Sequence, residues 1–196
     1  MTAEQIAAIR ARVELIRNTS GRDVLPRPRF ADRAPRVALA GGYVEPKIDG
    51  MWAEVVISAG TARVYSRTGK HKTAFTVPVA DGSDHVLHGE WCSGSHWANS
   101  RGLDRTLHLF DITTHDGADV RAMPIEGRRR LLVETVTRLG LDRVARVVPR
   151  WPAEVADRLW SDLVIRRGYE GLVHKQAGAA WGVGWSRIKR EHTVDY

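Results

Sequence analysis

The sequence predicts an α+β fold in which antiparallel β-sheets are flanked by helices. Short β-rich runs separated by turn signals fill the middle of the chain, from about residue 37 to residue 112. Helical periodicity appears at the start of the chain and again in its second half. This order of strands, then helices, then final strands is typical of helices packed on antiparallel sheets. With 196 residues and 43% hydrophobic side chains, the chain can bury a substantial core.

The first predicted element is a helix from Thr2 to about Asn18. Thr2 and Gln5 match a capping box, and apolar residues then recur at helical spacing. A connector rich in proline, arginine and aspartate follows. We therefore predict two regions, an N-terminal helix with its connector at 1–36 and a main domain at 37–196.

The middle of the chain changes to short runs of β-branched and aromatic residues. The tetrapeptide SAGT between two of them predicts a hairpin. The predicted strands are Tyr43–Ile48, Trp52–Ser58, Thr61–Ser66, His85–Trp91 and Leu107–Ile112.

Two helices and three strands are predicted in the second half. One helix begins near Pro124 and stops at Gly140, in agreement with the preference for proline at a helix start and glycine just past its end. The other begins near Pro152 and stops at Gly168. The predicted strands are Arg143–Val148, Gly171–Lys175 and Trp185–Arg190.

The charge of the chain indicates an anionic partner. Its formal net charge is +7 and its pI is about 10.1, values that favour nucleic acid, nucleotide or an acidic membrane surface. The single cysteine, Cys92, excludes an internal disulfide. The start lacks the apolar run of a signal peptide, and no run of 18 apolar residues is present. We expect a cytoplasmic monomer that does not enter the membrane.

Two other kinds of site receive little support. RTGKHK lacks the preceding glycine and the Ser/Thr of a phosphate-binding loop. His85, His88, Cys92 and His96 suggest zinc, but on a strand His85 and His88 point to opposite faces. We therefore regard zinc as a minor alternative.

Lys47 interrupts an apolar run and has carboxylates two residues away on each side, at Glu45 and Asp49. A lysine in this position is either an edge residue whose ammonium reaches solvent or a nucleophile activated by partial burial and cationic neighbours. In WSRIKRE, Arg187 and Lys189 share one strand face. Two neighbouring cations repel each other unless an anion lies between them. A bound anion and an ordinary solvent-exposed face are therefore about equally good interpretations of this pair.

Six stretches follow one another in an order that resembles a known family. They are EPKIDG at 45–50, SRTGK at 66–70, HGEW at 88–91, LFDI at 109–112, EGLVHK at 170–175 and WSRIKRE at 185–191. They resemble motifs I, Ia, III, IIIa, IV and V of the covalent nucleotidyltransferase superfamily, which contains ATP-dependent DNA ligases, RNA ligases and mRNA capping enzymes. The amino acids of the last three stretches are most similar to those in the adenylation domain of an ATP-dependent DNA ligase.

The resemblance implies a ligase-type, ATP-grasp-like nucleotidyltransferase domain and a role for each matching residue. Lys47 is the implied nucleophile, which attacks the α-phosphate of ATP to give lysyl-AMP. Asp49 orients the site, and Lys189 is implied to take part in catalysis. Lys189, Arg187 and Lys175 are implied to bind the phosphates.

The remaining implied roles concern the nucleotide and a metal ion. Arg67 is implied to bind the ribose, Phe110 to stack on adenine and Glu45 to read its amino group. Glu170 is implied to hold Mg²⁺ or Mn²⁺, and Glu90 to bind the ribose or support the metal. Each has an ordinary alternative: Phe110 as core, Glu170 as a surface carboxylate, and Arg67 paired with Glu90.

The chain departs from the family pattern in two ways. Trp52 stands five residues after the nucleophile, where such ligases commonly carry arginine, which leaves RNA ligase open as an alternative. The OB-fold domain that follows in the family is absent, so we also expect a separate OB-fold or clamp partner. The implied function is sealing of nicked duplex nucleic acid, with DNA favoured. A non-catalytic nucleic-acid-binding domain is the third alternative.

Overall fold

A computed structural model of the protein describes residue 39 and residues 41–92 and 105–189. The predicted N-terminal helix, the connector and His96 lie outside the described residues. The predicted boundary at 36/37 also lies there and stays a prediction. In the described part, strands and helices combine into a mixed α+β fold, as the sequence predicts. No described helix is long and apolar enough to cross a membrane.

The larger sheet has the strand order β4–β3–β2–β5–β6–β7 and is antiparallel along this path. A short strand, β8, joins it by pairing with β6 in parallel. Its strands are β2 (Met51–Ser58), β3 (Thr61–Ser66), β4 (His71–Thr76), β5 (His85–Cys92), β6 (Thr106–His115), β7 (Ala118–Asp119) and β8 (Ala145–Val147).

The smaller sheet has four strands in the order β11–β10–β1–β9 and is antiparallel throughout. Its central strands, β1 and β10, carry two of the motifs that resemble ligases. Its strands are β1 (Tyr43–Lys47), β9 (Trp151–Pro152), β10 (Gly171–Lys175) and β11 (Trp185–Lys189).

Helices cover one face of each sheet. Helix α1 (Ile125–Arg138) begins after Pro124 and is followed by Gly140, whose φ of +64° suits the left-handed turn that ends the helix. The second helical region is less regular than predicted. It consists of a 3₁₀ turn (Ala153–Val155), helix α2 (Ala156–Leu159) and a π-helical segment (Trp160–Arg166), and nothing in the sequence explains the wider last turns.

Two apolar cores explain why the polar motif residues share one surface. Helix α1 packs on the larger sheet, and the irregular helical region packs on the smaller one. Val44, Leu172 and Ile188 of the smaller sheet point into the second core. Because neighbouring residues of a strand point to opposite faces, burying these three side chains forces Glu45, Lys175 and their neighbours onto the other face.

Most predicted strands are confirmed within two or three residues, with informative differences. Strand β4 was missed because its side chains are mostly exposed and lack an apolar alternation. The two-residue strands β7 and β9 carry no sequence signal. The predicted strand Arg143–Val148 shrinks to β8, and its parallel pairing departs from the all-antiparallel expectation.

Candidate active site

A cavity of about 550 Å³ lies against both sheets. Its lining combines cations, two carboxylates and large aromatic rings. Among its lining residues are Glu45, Lys47, Trp52, Arg67, Lys70, Lys72, Glu90, Phe110, Lys175, Trp185 and Arg187. Lysines and arginines outnumber glutamates in this set, so the cavity is suited to an anion that carries an aromatic group.

Strand register places the charged residues of the smaller sheet on one face. Glu45 lies opposite Val173, which in turn lies opposite Arg187. Lys47 lies opposite Gly171, which lies opposite Lys189. Directly opposed residues share a face, so the structure brings the two cations of the last strand to the face that carries Lys47.

Lys47, Glu170 and Lys189 form a group that we call the outer cluster. The Nζ atoms of Lys47 and Lys189 each donate to a different carboxylate oxygen of Glu170. Between the two lysines stands Gly171, where an added Cβ would lie 2.0 Å from the carbonyl oxygen of Ile188. The side chains of Lys47, Glu170 and Lys189 are 20%, 28% and 42% exposed, so this cluster is open to solvent and ligands.

The two lysines control the charge state of Glu170. Partial burial alone raises the pKa of this carboxyl group, but hydrogen bonds from Lys189 and Lys47 outweigh it and hold the pKa below its usual range. Glu170 is therefore an anion at neutral pH. It can exchange a lysine partner for another cation.

Glu45, Lys175 and Arg150 form a second group, the inner cluster. Lys175 Nζ lies 2.7 Å from Glu45 Oε2, and Arg150 Nε lies 3.4 Å from Glu45 Oε1. The three side chains are at most 8% exposed. Sequence reasoning found Glu45 and Lys175 but missed Arg150, which no motif contains.

Lys175 is held at the cavity wall by aromatic rings as well as by Glu45. Its Nζ lies 4.1 Å from the ring centre of Trp185 and 4.9 Å from that of Phe110, and it donates to the Phe110 carbonyl oxygen at 3.3 Å. Burial lowers the pKa of Lys175, while the carboxylates of Glu45 and Asp111 raise it in opposition.

The larger sheet supplies the other wall. Trp52 and Glu90 are directly opposed on neighbouring strands, and both line the cavity. The Trp52 ring lies 5.3 Å from Phe110 and 5.7 Å from His88. Trp52 thus extends an aromatic wall where a ligase commonly has a phosphate-binding arginine. Arg67 lines the cavity and is exposed.

Asp49 belongs to neither cluster, whereas Glu170 and Lys189, which also do not line the cavity, belong to the outer cluster. Asp49 is exposed in the turn after Lys47 and is not among the residues that line the cavity. Its backbone carbonyl faces the buried Cys92 thiol at 3.7 Å. A role for Asp49 in orienting the site therefore stays a prediction.

A buried ion pair fixes the strand that carries Phe110. Arg128 of α1 donates two hydrogen bonds to Asp111, at 2.9 Å and 3.1 Å. It also donates to the carbonyl oxygens of Met123 and Ala179. Arg128 therefore links the larger sheet, its helix and the segment between β10 and β11. The run of arginines at Arg128–Arg130 gives no sign that the first of them is buried.

Among the described residues, His85, His88 and Cys92 do not come together as metal ligands. His88 bonds the Thr113 hydroxyl at 2.8 Å, and Cys92 is buried behind the turn after Lys47. His85 lies instead beside His115 and Asp116, and the guanidinium of Arg138 donates to Asp116 at 2.7 Å.

Comparisons with known proteins agree with the motifs. No protein-family model matches the chain. A probable DNA ligase of Streptomyces coelicolor is 28% identical over 220 aligned positions, which cover 93% of this chain and 42% of that protein. A probable DNA ligase of Anaeromyxobacter dehalogenans is 29% identical over 191 positions, or 81% of this chain and 36% of that protein. The chain thus spans less than half the length of these relatives.

Solved structures show the same fold. The ligase domain of M. tuberculosis LigD superposes with a TM-score of 0.61 at 18% identity, covering 83% of this chain and 60% of that one. A mycobacterial DNA ligase D complexed with ATP and MES gives a TM-score of 0.57 at 19% identity, covering 82% and 60%. Together with the sequence relatives, these matches confirm the resemblance to the ligase-type nucleotidyltransferases. The sequence relatives named here are probable DNA ligases.

Proposed function

We propose that this chain is the adenylation domain of an ATP-dependent DNA ligase, with Lys47 as its nucleophile. The observation that carries the proposal is the outer cluster beside a cationic and aromatic cavity. Lys47 lines that cavity, and its partner Glu170 also binds Lys189. The structural neighbour complexed with ATP supports ATP as the nucleotide. The relatives named probable DNA ligase support DNA as the substrate.

The proposed chemistry proceeds in three displacements at phosphorus. The neutral Lys47 amine attacks the α-phosphorus of ATP, a P–N bond forms, the bond to the bridging oxygen breaks, and pyrophosphate leaves as the amine loses a proton. A 5′-phosphate oxygen at a nick then attacks the same phosphorus and releases Lys47. Finally the 3′-hydroxyl attacks the 5′-phosphorus and AMP leaves. Catalysis consists mainly of positioning and charge neutralisation.

The cavity residues and Lys189 of the outer cluster divide these tasks between the two sheets. Arg187, Lys189 and Lys175 face the phosphates from the smaller sheet. Phe110 stacks on adenine from the larger sheet. Trp52 extends that aromatic wall. Arg67 and Glu90 bind the ribose.

Glu45 and Asp49 act around this pocket. The side chain of Glu45 holds Lys175 and Arg150, so it would read adenine through its backbone. Asp49, exposed beside the nucleophile, would meet the nick.

The outer cluster is suited to a divalent cation. Glu170 offers carboxylate oxygens whose lysine partners are partly exposed and exchangeable, and Mg²⁺ is usually bound through one or two carboxylates together with substrate phosphates. Glu170 would hold the ion, with Glu90 as the supporting carboxylate. Bound there, Mg²⁺ or Mn²⁺ would neutralise charge on the phosphates.

The substrate proposal is a nicked DNA duplex, bound mainly through its phosphates. The net charge of +7 and the exposed cations Arg67, Lys70 and Lys72 beside the cavity support this proposal. Binding should therefore weaken steeply as salt is raised.

The test is incubation with ATP labelled at the α-phosphate and Mg²⁺, followed by a denaturing gel. Wild type should retain label through Lys47, and Lys47→Arg, which keeps the cation for Glu170, should retain none. Label that is equal in the two proteins would contradict the proposal. Supplying nicked DNA or nicked RNA to the labelled protein then decides between DNA ligase and RNA ligase.

A further inference from the structure

Arg150 lies outside every motif and yet touches the nucleotide site through a motif residue. It belongs to the short link between β8 and β9, and its side chain is 8% exposed. It reaches Glu45 across 105 positions of sequence. Its guanidinium also stacks over the Tyr43 ring, 4.5 Å from the ring centre. A buried arginine in this position requires an explanation, because removing it from water costs several kcal/mol.

The Tyr43 ring is itself anchored. Burial, and with it a side-chain hydrogen bond between Tyr43 and Glu126 of helix α1, raises the pKa of the Tyr43 hydroxyl. The guanidinium of Arg150 is thus held on one side by a ring fixed to α1 and on the other by Glu45. These two contacts hold the Arg150 guanidinium in one orientation. The guanidinium in turn fixes the orientation of the Glu45 carboxylate.

The consequence falls on Lys175. One oxygen of Glu45 faces Arg150 and the other faces Lys175. Of the three donors on the Lys175 ammonium, one is directed to Glu45 and one to the Phe110 carbonyl oxygen. Because Arg150 binds one oxygen of Glu45, only the other oxygen is directed to Lys175. Lys175 therefore stays at the wall of the cavity. Without Arg150, Glu45 would turn wholly to Lys175 and draw its ammonium away from the cavity.

We propose that Arg150 is a positioning residue of the nucleotide site, which holds the Glu45 carboxylate so that Lys175 stays available to ATP. This inference rests on the proposed function, since it names a residue that supports the same site. It predicts an effect on ATP affinity rather than on the rate of the chemical step, because Lys175 meets the nucleotide before and during the reaction.

The experiment is a double-mutant cycle on single-turnover adenylation. Arg150→Met removes the charge and keeps an apolar chain of similar length. It should raise the ATP concentration for half-maximal rate by about ten-fold, with the maximal rate changed less than about three-fold. Glu45→Gln should have a similar effect. Because both act through one contact, the double variant should match the stronger single variant rather than lose about a hundred-fold.

Two further variants keep the test decisive. Arg146→Met removes an exposed arginine of β8 that donates to the Asp142 carbonyl oxygen, and should leave the ATP dependence unchanged. Arg150→Lys keeps the positive charge and should restore most of the affinity, and it provides the comparison if Arg150→Met unfolds. Melting temperatures measured in parallel separate loss of fold from loss of affinity.

Each outcome supports or overturns the inference. The inference is overturned if the losses of ATP affinity multiply in the double variant, or if Arg150→Met has the ATP dependence of wild type. Either result leaves the proposed function intact. A wild-type chain that takes no AMP and binds no ATP by calorimetry overturns both. The inference is supported if the double variant loses no more ATP affinity than the stronger single variant and Arg150→Lys restores most of that affinity.

Discussion

The inner and outer clusters have the same composition, one carboxylate between two cations, and differ in burial. In the inner cluster, Glu45 lies between Lys175 and Arg150, and no side chain is more than 8% exposed. In the outer cluster, Glu170 lies between Lys47 and Lys189, and each side chain is at least 20% exposed. The first is therefore a fixed part of the wall, and the second can change partners.

Under the proposed function, this difference would allow one small sheet both to hold a nucleotide and to react with it. A buried carboxylate that loses one cation leaves a charge in a poorly solvated place, which is strongly unfavourable. A partly exposed carboxylate loses a cation at little cost, because water or another cation takes its place. In the proposed reaction, Lys47 would leave Glu170 to attack the nucleotide, whereas Lys175 would stay in place.

The largest expected effect comes from the glycine around which the outer cluster is built. Gly171→Ala places a Cβ 2.0 Å from the Ile188 carbonyl oxygen, so β10 and β11 must separate. We expect a loss of about 4 kcal/mol in the free energy of unfolding by urea, together with loss of AMP incorporation.

The matched control is Gly178→Ala, where no atom of the described residues, apart from the adjoining residues of the chain, lies within 4 Å of the added Cβ. Its φ of +71° still strains an alanine, at about 1–2 kcal/mol. Equal losses for the two variants would show that close approach of β10 and β11 is not the reason for glycine at position 171.

The second prediction compares one lysine from each cluster. Lys175→Met should lower the free energy of unfolding by about 3 kcal/mol, since it breaks a buried pair. Lys189→Met should change it by no more than about 1 kcal/mol, since its pair is exposed, and should reduce adenylation instead. Chemical denaturation of both variants measures the difference. Equal destabilisation would contradict the contrast between the clusters.

The smallest effect is the pH dependence of the outer cluster. The pKa of Glu170 is held below its usual range by Lys189 and Lys47 against partial burial. The folded state therefore binds a proton less readily than the unfolded state, so the stability from this group is present above the unfolded pKa and is lost as pH falls through the folded pKa.

Glu170→Gln removes this titration and keeps a side chain of the same shape. The difference in unfolding free energy between wild type and Glu170→Gln should favour wild type near pH 6 and shrink as the pH falls below about 4. A difference that is constant over that interval would show that the two lysines do not depress the pKa of this carboxyl group.

The sequence predicted most of the fold because the strands are short runs rich in β-branched and aromatic residues between turn signals, and in β2 six consecutive residues are buried. It could not reveal β4, four of whose six residues are exposed, nor the irregular turns after α2. The motif order brought Lys47, Glu170 and Lys189 together as candidates, and the register of β1, β10 and β11 places them side by side.

The inner cluster illustrates what a linear pattern lacks. Glu45 and Lys175 were predicted separately, as a residue that reads adenine and a phosphate cation, and the structure pairs them. Arg150 carried no signal, because its partner is 105 residues away and its own neighbourhood resembles a loop. The same holds for Arg128, whose burial against Asp111 cannot be read from a run of arginines.

The most direct test of the central claim is to locate AMP on the chain after incubation with ATP and Mg²⁺. The intact mass gives the number of AMP groups, and mass spectrometry of peptides kept at neutral to alkaline pH gives the modified residue. We expect one AMP per chain, on Lys47 of the outer cluster. A chain without an adduct, or an adduct on Lys175 or Lys189 with Lys47 unmodified, would contradict it.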